Sequence, residues 1–543
     1  MREEQDGEAS APFYESLLRR LVATPPPAPK IRASAAVVPW RRGERGELLV
    51  YWVLRSPGLA FMGGWHAFPG GGQNKTDTAF ELSEKAAGGE GQTRPGPEVG
   101  DEELAGLGPD LPPGLLLCAI RELFEETGLL LERGVLEGGF PEDLAALRED
   151  LLAGRRDFAQ LATERNWSLA AGELQYAGRW LTPPLGPMRF DNRFFLLHWP
   201  AEIGLEPEVT PGELSSGEWI EPTAALAQWQ AGEAVAAPPI VHILRVLEEV
   251  GPTRATPRLI DSRDADIGPM RRIELRPGVV LMPLRTPTLP PAAFTNCFLL
   301  GQEELGQGEL VLIDPATPYP DEQRRLLAAL DAVAEQGGRI RAIWLTHHHA
   351  DHIGAVEVCR RHLQVPVLAH PATAARLEEI GIETDGYLHG GERVELGGDP
   401  PFTVRVVHTP GHARGHLAFF DEKYGSLIAG DLMSTLSTIV IDPPEGDMDD
   451  YLESLEKVAA LAPRAIFPSH GPLALSAMKK LEELHRHRLA REEKVLAAWR
   501  SGKKTPEEMV AEVYDDTPPA MHPVALRQIA AHLGRLEKLG RLG

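Results

Sequence analysis

Residues 343–355, IWLTHHHADHIGA, decide how the chain is read. Ile343 to Leu345 form an apolar run of strand character, and His347, His349, Asp351 and His352 follow within six positions. Nitrogen and oxygen donors at that density suit borderline divalent cations, and one loop can feed two of them. Further along, VVHTPGHARGH (406–416) supplies His412 after a Pro-Gly turn. IAGDLMS (428–434) supplies Asp431, and IFPSHGP (466–472) supplies His470. Asp431 and His470, like the first cluster, stand where an apolar strand runs into a loop, so one rim of a sheet can gather them all.

This succession of motifs over residues 276–475 resembles the metallo-β-lactamase superfamily, closer to its glyoxalase II and lactamase-like endoribonuclease branches than to the antibiotic-degrading enzymes. The resemblance implies an αββα sandwich with two zinc ions. His347, His349 and His412 would hold one zinc, Asp351, His352 and His470 the other, and Asp431 would bridge them. Two cations about 3.5–4 Å apart polarise a substrate oxygen and lower the pKa of water. Asp351 would also be catalytic, orienting the attacking water and carrying its proton. His348 and His408 are expected to be structural. His416 fits a supporting hydrogen bond, a substrate contact or simple packing.

A second constellation lies in CAIRELFEETGLLL (118–131), where Glu122, Glu125 and Glu126 fall at i, i+3 and i+4 on one helical face. Ile120, Leu123 and Phe124 can pack inward, and Gly128 can end the helix in a left-handed conformation. Arg121 to Leu129 matches REUXEEXGU, the helical part of the Nudix box, with U a bulky aliphatic. Upstream, WHAFPGGGQNKTD (65–77) resembles the strand and loop before that helix. The resemblance implies an α/β/α sandwich in which Glu122, Glu125, Glu126 and the Gly71 carbonyl hold Mg²⁺ or Mn²⁺ on a diphosphate, with Arg121 orienting the carboxylates. Two departures stand out: Asp77 replaces the usual Glu, and about 43 residues separate it from Arg121. Both features, with WLTPPLGPMRFDNRFF (180–195), are similar to the branch acting on coenzyme A and its thioesters. Arg189 and Arg193 are candidates for gripping phosphates or for ordinary ion pairs.

At 543 residues the chain exceeds one hydrophobic core, so a multidomain α/β fusion is expected. The boundaries read as a Nudix-like domain at 30–250 with an insertion at about 78–113, a linker at 251–275, a metallo-β-lactamase-like domain at 276–475 and a helical, winged-helix-like tail at 476–543. Three widely spaced cysteines, no apolar leader and no run near the ~20 residues that span a bilayer point to a cytoplasmic protein without membrane contact. A net charge of −24 opposes nonspecific binding to nucleic acid, although the tail from Ala477 carries thirteen Lys and Arg against ten Asp and Glu. The expected partner is a small molecule such as a coenzyme A or nucleotide derivative. RNA remains the alternative, with His487, Arg488, Arg491 and Glu492 resembling the endoribonuclease branch and the Nudix half a silent ligand-binding module.

Overall fold

The computed structural model describes residues 30–59, 62–82, 111–183, 188–260, 273–301, 308–398 and 401–542. Most of the expected insertion and the second half of the expected linker lie outside these residues. The chain forms two compact units, one of Pro29–Val280 and one containing Leu281–Gly543. Among the described residues no helix is long and apolar enough to cross a membrane.

The N-terminal unit is built on β1 (Lys30–Arg42), joined by β2 (Leu48–Arg55), β3 (His66–Ala67), β4 (Gly70–Gly72), β5 (Gln175–Leu181), β6 (Met188–His198) and β7 (Leu214–Ile220). The sheet runs β3-β2-β1-β6-β5, with β4 also paired to β1 and β7 to β2. β1 and β6 are parallel from Lys30↔Met188 to Trp40↔His198. Successive β1 side chains alternate between faces. Ala35 and Val37 share a core with Ile120, Leu123 and Phe124 of α1 (Leu115–Thr127), while Ala36 and Val38 share another with residues of α2 (Pro222–Gln230) and α3 (Pro238–Val250). The sheet is covered on both faces, which makes the α/β/α sandwich. The expected linker begins instead as a helix, α4 (Pro252–Ile260). Its Ala255 and Leu259, at i and i+4, are buried in the core of α3, so this polar-looking segment packs as part of the unit.

The C-terminal unit has two sheets. The first contains β9 (Val279–Arg285), β10 (Phe294–Gly301), β11 (Glu309–Ile313), β12 (Arg339–Trp344), β13 (Val367–Ala369) and β14 (Gly386–Tyr387), in the order β14-β13-β12-β11-β10-β9; the preceding strand, β8, is Ile273–Arg276. The second runs β15 (Arg393–Leu396), β16 (Phe402–His408), β17 (Leu417–Asp421), β18 (Ser426–Ser434) and β19 (Ala465–His470). α5 (Pro320–Glu335) packs on the first sheet, followed in the chain by the short α6 (Ala350–Ile353) and by α7 (Val356–Leu363) on the same side. α8 (Met448–Ala459) covers β18. These are the four layers of an αββα sandwich. The tail is helical: α9 (Ala477–Arg500), α10 (Pro506–Val513) and α11 (His522–Lys538). Leu481, Leu484 and Ala531 join the core formed by β18 and α8.

Candidate metal centres

The ends of β12, β16, β18 and β19 bring the C-terminal donors together. Ligand atoms of His347, His349 and His412 lie within 4.8 Å of one another, as do those of His347, His352 and Asp431, and those of Asp351, His352 and His470. The two oxygens of Asp431 face different histidines. Oδ1 is 3.6 Å from His352 Nε2 and 3.4 Å from His470 Nε2, whereas Oδ2 is 3.5 Å from His412 Nε2.

Hydrogen bonds on the far side of each ring set its tautomer. The Thr346 hydroxyl donates to Asp314 Oδ2 at 2.6 Å, so its oxygen is left to accept His347 Nδ1–H at 2.9 Å. His352 Nδ1 donates to Asp314 Oδ2, His412 Nδ1 to the Val440 carbonyl and His470 Nδ1 to the Phe294 carbonyl. Every Nε2 of these four rings is thereby aimed inward. His347 Nε2 and His412 Nε2 each sit 2.9 Å from His349 Nδ1. Three ring nitrogens converging on one point, with buried His352 Nε2 and Asp431 Oδ1 lacking hydrogen-bond partners, fit a pair of divalent cations. Electrostatics agree. Burial, reinforced by the neighbouring histidines, pushes the His347 and His349 pKa values well down. Burial also works against protonation of His352, but Asp431 and Asp314 overcome it and bring its pKa to about 9. A cation arriving there competes with a proton.

A cavity of about 600 Å³ opens beside the centre, lined by Ser434, Thr435, Ser437, Lys480, Arg486 and His487, among others. Its wall is tied to His470, because the Ser434 hydroxyl and the Thr435 N–H both donate to the His470 carbonyl at 3.2 Å.

In the N-terminal unit, α1 ends at Gly128, whose φ of 75° supplies the left-handed cap with N–H bonded to Phe124 O. Arg121 is buried at its centre. Its guanidinium takes both Asp77 oxygens, at 2.8 and 3.0 Å, and donates to Glu122 at 2.7 Å and Glu125 at 3.0 Å. Glu126 accepts the Gly70 N–H at 2.8 Å. The three glutamates, unlike the C-terminal donors, do not gather within 4.8 Å; each is held by a protein donor instead. A Cβ on Gly71 would meet the Glu122 carboxylate at 2.6 Å and displace it, so glycine lets the carboxylate lie against the Gly71 backbone. Burial, with help from Glu122, raises Glu125 to about 7 and Glu126 to about 8, although Arg121 opposes the rise at Glu125. Carboxylates held near neutrality by burial suit a hard cation that returns them to the ionised form.

Both candidate centres lie inside domains with known relatives. A family model of the metallo-beta-lactamase superfamily matches residues 290–470, the NUDT19 Nudix domain matches 31–247, and the beta-lactamase associated winged helix domain matches 505–542. The Beta-lactamase-like protein 2 homolog of Drosophila melanogaster is 31% identical over 265 residues, 46% of this chain and 84% of that protein. The chain belongs to the metallo-β-lactamase superfamily. With its Nudix domain and winged-helix tail it is a Nudix–metallo-β-lactamase fusion, a hydrolase of two parts. The Caenorhabditis elegans Beta-lactamase-like protein 2 homolog is 28% identical over 45% of this chain and 79% of its own length. A Hydroxyacylglutathione hydrolase of Cereibacter sphaeroides is 30% identical over 36% and 69%.

Within the metallo-β-lactamase unit, sequence reasoning missed Asp314. It follows β11 directly with a φ of 49°, an uncommon conformation for a residue with a side chain, and its buried carboxylate fixes Thr346 and His352 together. The signal was present in VLIDPA (311–316), a carboxylate at a strand end before proline. Asp314→Asn is expected to weaken metal binding ~10- to 100-fold at the His352 position, through loss of the imidazole orientation, in a chelator-competition titration. His416 is settled as a supporting residue: its Nδ1 bonds Thr409 Oγ1 at 2.8 Å and its Nε2 accepts the Asp431 N–H at 3.0 Å. His408 stacks on His370, and its Nε2 bonds the Arg414 carbonyl. In the Nudix unit, Asp77 is no defect, since it is the buried partner of Arg121, and removing one member of such a pair costs ~3–5 kcal/mol. Arg193 is committed to Asp191, which Arg179 grips at 2.7 and 2.8 Å, so the phosphate-gripping reading of Arg193 gives way to a buried ion pair.

Proposed function

We propose that the metallo-β-lactamase unit hydrolyses an ester, thioester or phosphodiester with two zinc ions, and that the Nudix unit cleaves a diphosphate of a coenzyme A or nucleotide derivative with Mg²⁺ or Mn²⁺. The observation that carries the first half is the division of Asp431, with one oxygen toward His412 and the other toward His352 and His470. His347, His349 and His412 would hold one ion, Asp351, His352 and His470 the other, with Asp431 shared. When bound, the pair supplies Lewis acidity and water of lowered pKa. Asp351, 18% exposed beside fully buried histidines, orients the attacking water and carries its proton toward the leaving group. Lys480 and Arg486 along the cavity, against the single carboxylate of Glu483, favour a substrate with an anionic portion.

In the Nudix unit Glu122, Glu125 and Glu126, with the Gly71 carbonyl, would hold the hard cation against the diphosphate. Arg121 keeps two of the carboxylates in place, and Glu126, free of that guanidinium, serves as the base for the attacking water. The Hydroxyacylglutathione hydrolase similarity supports the thioester option for the other unit. Purified chain supplied separately with Zn²⁺ or Mg²⁺ should hydrolyse an acyl-coenzyme A thioester in one case and a coenzyme A or nucleoside diphosphate derivative in the other. Cleavage of neither class would overturn the reading.

A second reading, RNA cleavage with a silent Nudix module, draws on Lys480 and Arg486 of the same cavity. Its basis in the tail is narrower than the sequence suggested: Arg488 and Arg491 are buried, the first bonded to Gln528 and the Ile439 carbonyl, the second to Asp516. Hydrolysis of short single-stranded RNA in preference to the thioester would favour it.

A further inference from the structure

We infer that Arg488 and Gln528, on two different helices of the tail, are positioning residues for His412, and through it govern the occupancy of one metal position. The inference rests on the two-metal reading above. His412 is oriented by the Val440 carbonyl at 2.6 Å. Residues 438–442 have neither helix nor strand, so no ladder of backbone bonds fixes that carbonyl. The flanking Ile439 and Ile441 side chains are buried in the core, and the polar backbone between them is held by the tail. The adjacent Ile439 carbonyl accepts Arg488 Nη2 at 2.5 Å from α9 and Gln528 Nε2 at 3.0 Å from α11, and Arg488 Nη1 donates to Gln528 Oε1 at 3.0 Å. Arg527, beside Gln528, holds Asp442 Oδ1 and the Pro443 carbonyl on the other side of Val440.

Both positioning residues are buried, Arg488 to 2% and Gln528 to 5% exposure, and the acceptors Arg488 uses are neutral. A desolvated guanidinium bonded to neutral acceptors is an expensive way to gain stability alone. It is an effective way to hold one irregular loop in one place. The coupling is one-sided: His352 is oriented by Asp314 and His470 by the Phe294 carbonyl, neither of which the tail donors reach. Loosening the tail contact therefore affects the His347–His349–His412 position and spares the Asp351–His352–His470 position.

The test is a Co²⁺ titration of the full chain, followed by the visible absorption of histidine-ligated ion and by metal analysis, with thermal melts alongside. Wild-type chain should take two such ions. Gln528→Glu, which keeps the shape and the Arg488 contact but removes the donor to Ile439, and Arg488→Met should each weaken one ion ~10- to 100-fold and leave the other unchanged. Arg491→Met is the control, because this buried tail arginine bonds Asp516 and the Val513 carbonyl instead of the loop. It should destabilise the tail yet retain both ions. Two unchanged affinities in Gln528→Glu and Arg488→Met, or an equal loss in Arg491→Met, would overturn the inference. A wild-type chain that binds fewer than two such ions would overturn the two-metal reading itself.

Discussion

Asp351→Ala is expected to lower hydrolysis at the metallo-β-lactamase centre by roughly 10²–10⁴-fold, the usual contribution of a positioned proton carrier, or about 3–5 kcal/mol of transition-state stabilisation. The loss should appear in kcat with little change in KM, because Asp351 meets the reacting water and the cavity wall meets the substrate. Its position explains why it carries so much. His347 and His352 are fully buried, whereas Asp351 faces His470 at 3.6 Å and still reaches solvent. Within the Asp351–His352–His470 set it is the one donor that is not buried, and thus the group able to hand a proton outward. Asp351 would also be a ligand, so the variant should lose affinity for one ion while His347, His349 and His412 retain the other. Diphosphate cleavage by the Nudix unit should be untouched, which separates a local effect from general unfolding. Unimpaired thioester or phosphodiester hydrolysis by Asp351→Ala would remove the proposed centre from the reaction.

The proposed donors were legible in the sequence because short motifs concentrate them: four within 347–352, one each in 406–416, 428–434 and 466–472, and three glutamates on one helical face. The residues that hold those donors were not. Asp314 lies 38 positions from His352, and Gln528 lies 89 from Ile439, so no local pattern records either bond. Asp77 illustrates the same limit. As a residue it departs from the motif it resembles, yet folding brings it against Arg121 across the long insertion, where Gly114 at φ 79° lets the backbone turn against it; a Cβ there would meet the Asp77 carbonyl oxygen at 2.5 Å. The α/β class and the division into two parts followed from periodicity. The placement of the chain's crossing at 280/281 did not, since Ala255, Leu259 and Ile260 are few apolar positions in a stretch rich in Pro, Thr and Arg, and burial of Ala255 and Leu259 against α3 decides its fate.

Glu126→Gln should have the corresponding effect in the Nudix unit. Glutamine can still accept the Gly70 N–H, so the loop keeps its anchor while the site loses one ionisable carboxylate. If Glu126 is the base, cleavage of a coenzyme A or nucleotide diphosphate falls ~10²–10⁴-fold. Metal binding gives an independent reading through pH. In the cation-free protein burial and Glu122 hold Glu126 at about 8 and, with Arg121 opposing, Glu125 at about 7, both above the ordinary glutamate value. Only the ionised carboxylate is a ligand, so a cation must displace protons below those values. The sign follows: apparent Mg²⁺ affinity of the wild-type chain should climb from pH 6 toward pH 8 and level off above about 8, with proton release detectable by calorimetry in buffers of different ionisation heat. In Glu126→Gln the affinity should be lower throughout, and its remaining pH dependence should centre nearer 7, where Glu125 titrates. A silent but metal-holding Nudix unit would show the binding change with no activity to lose. Identical titrations for wild type and variant would show that Glu126 does not meet the cation at all, and the proposed carboxylate site would have to be abandoned.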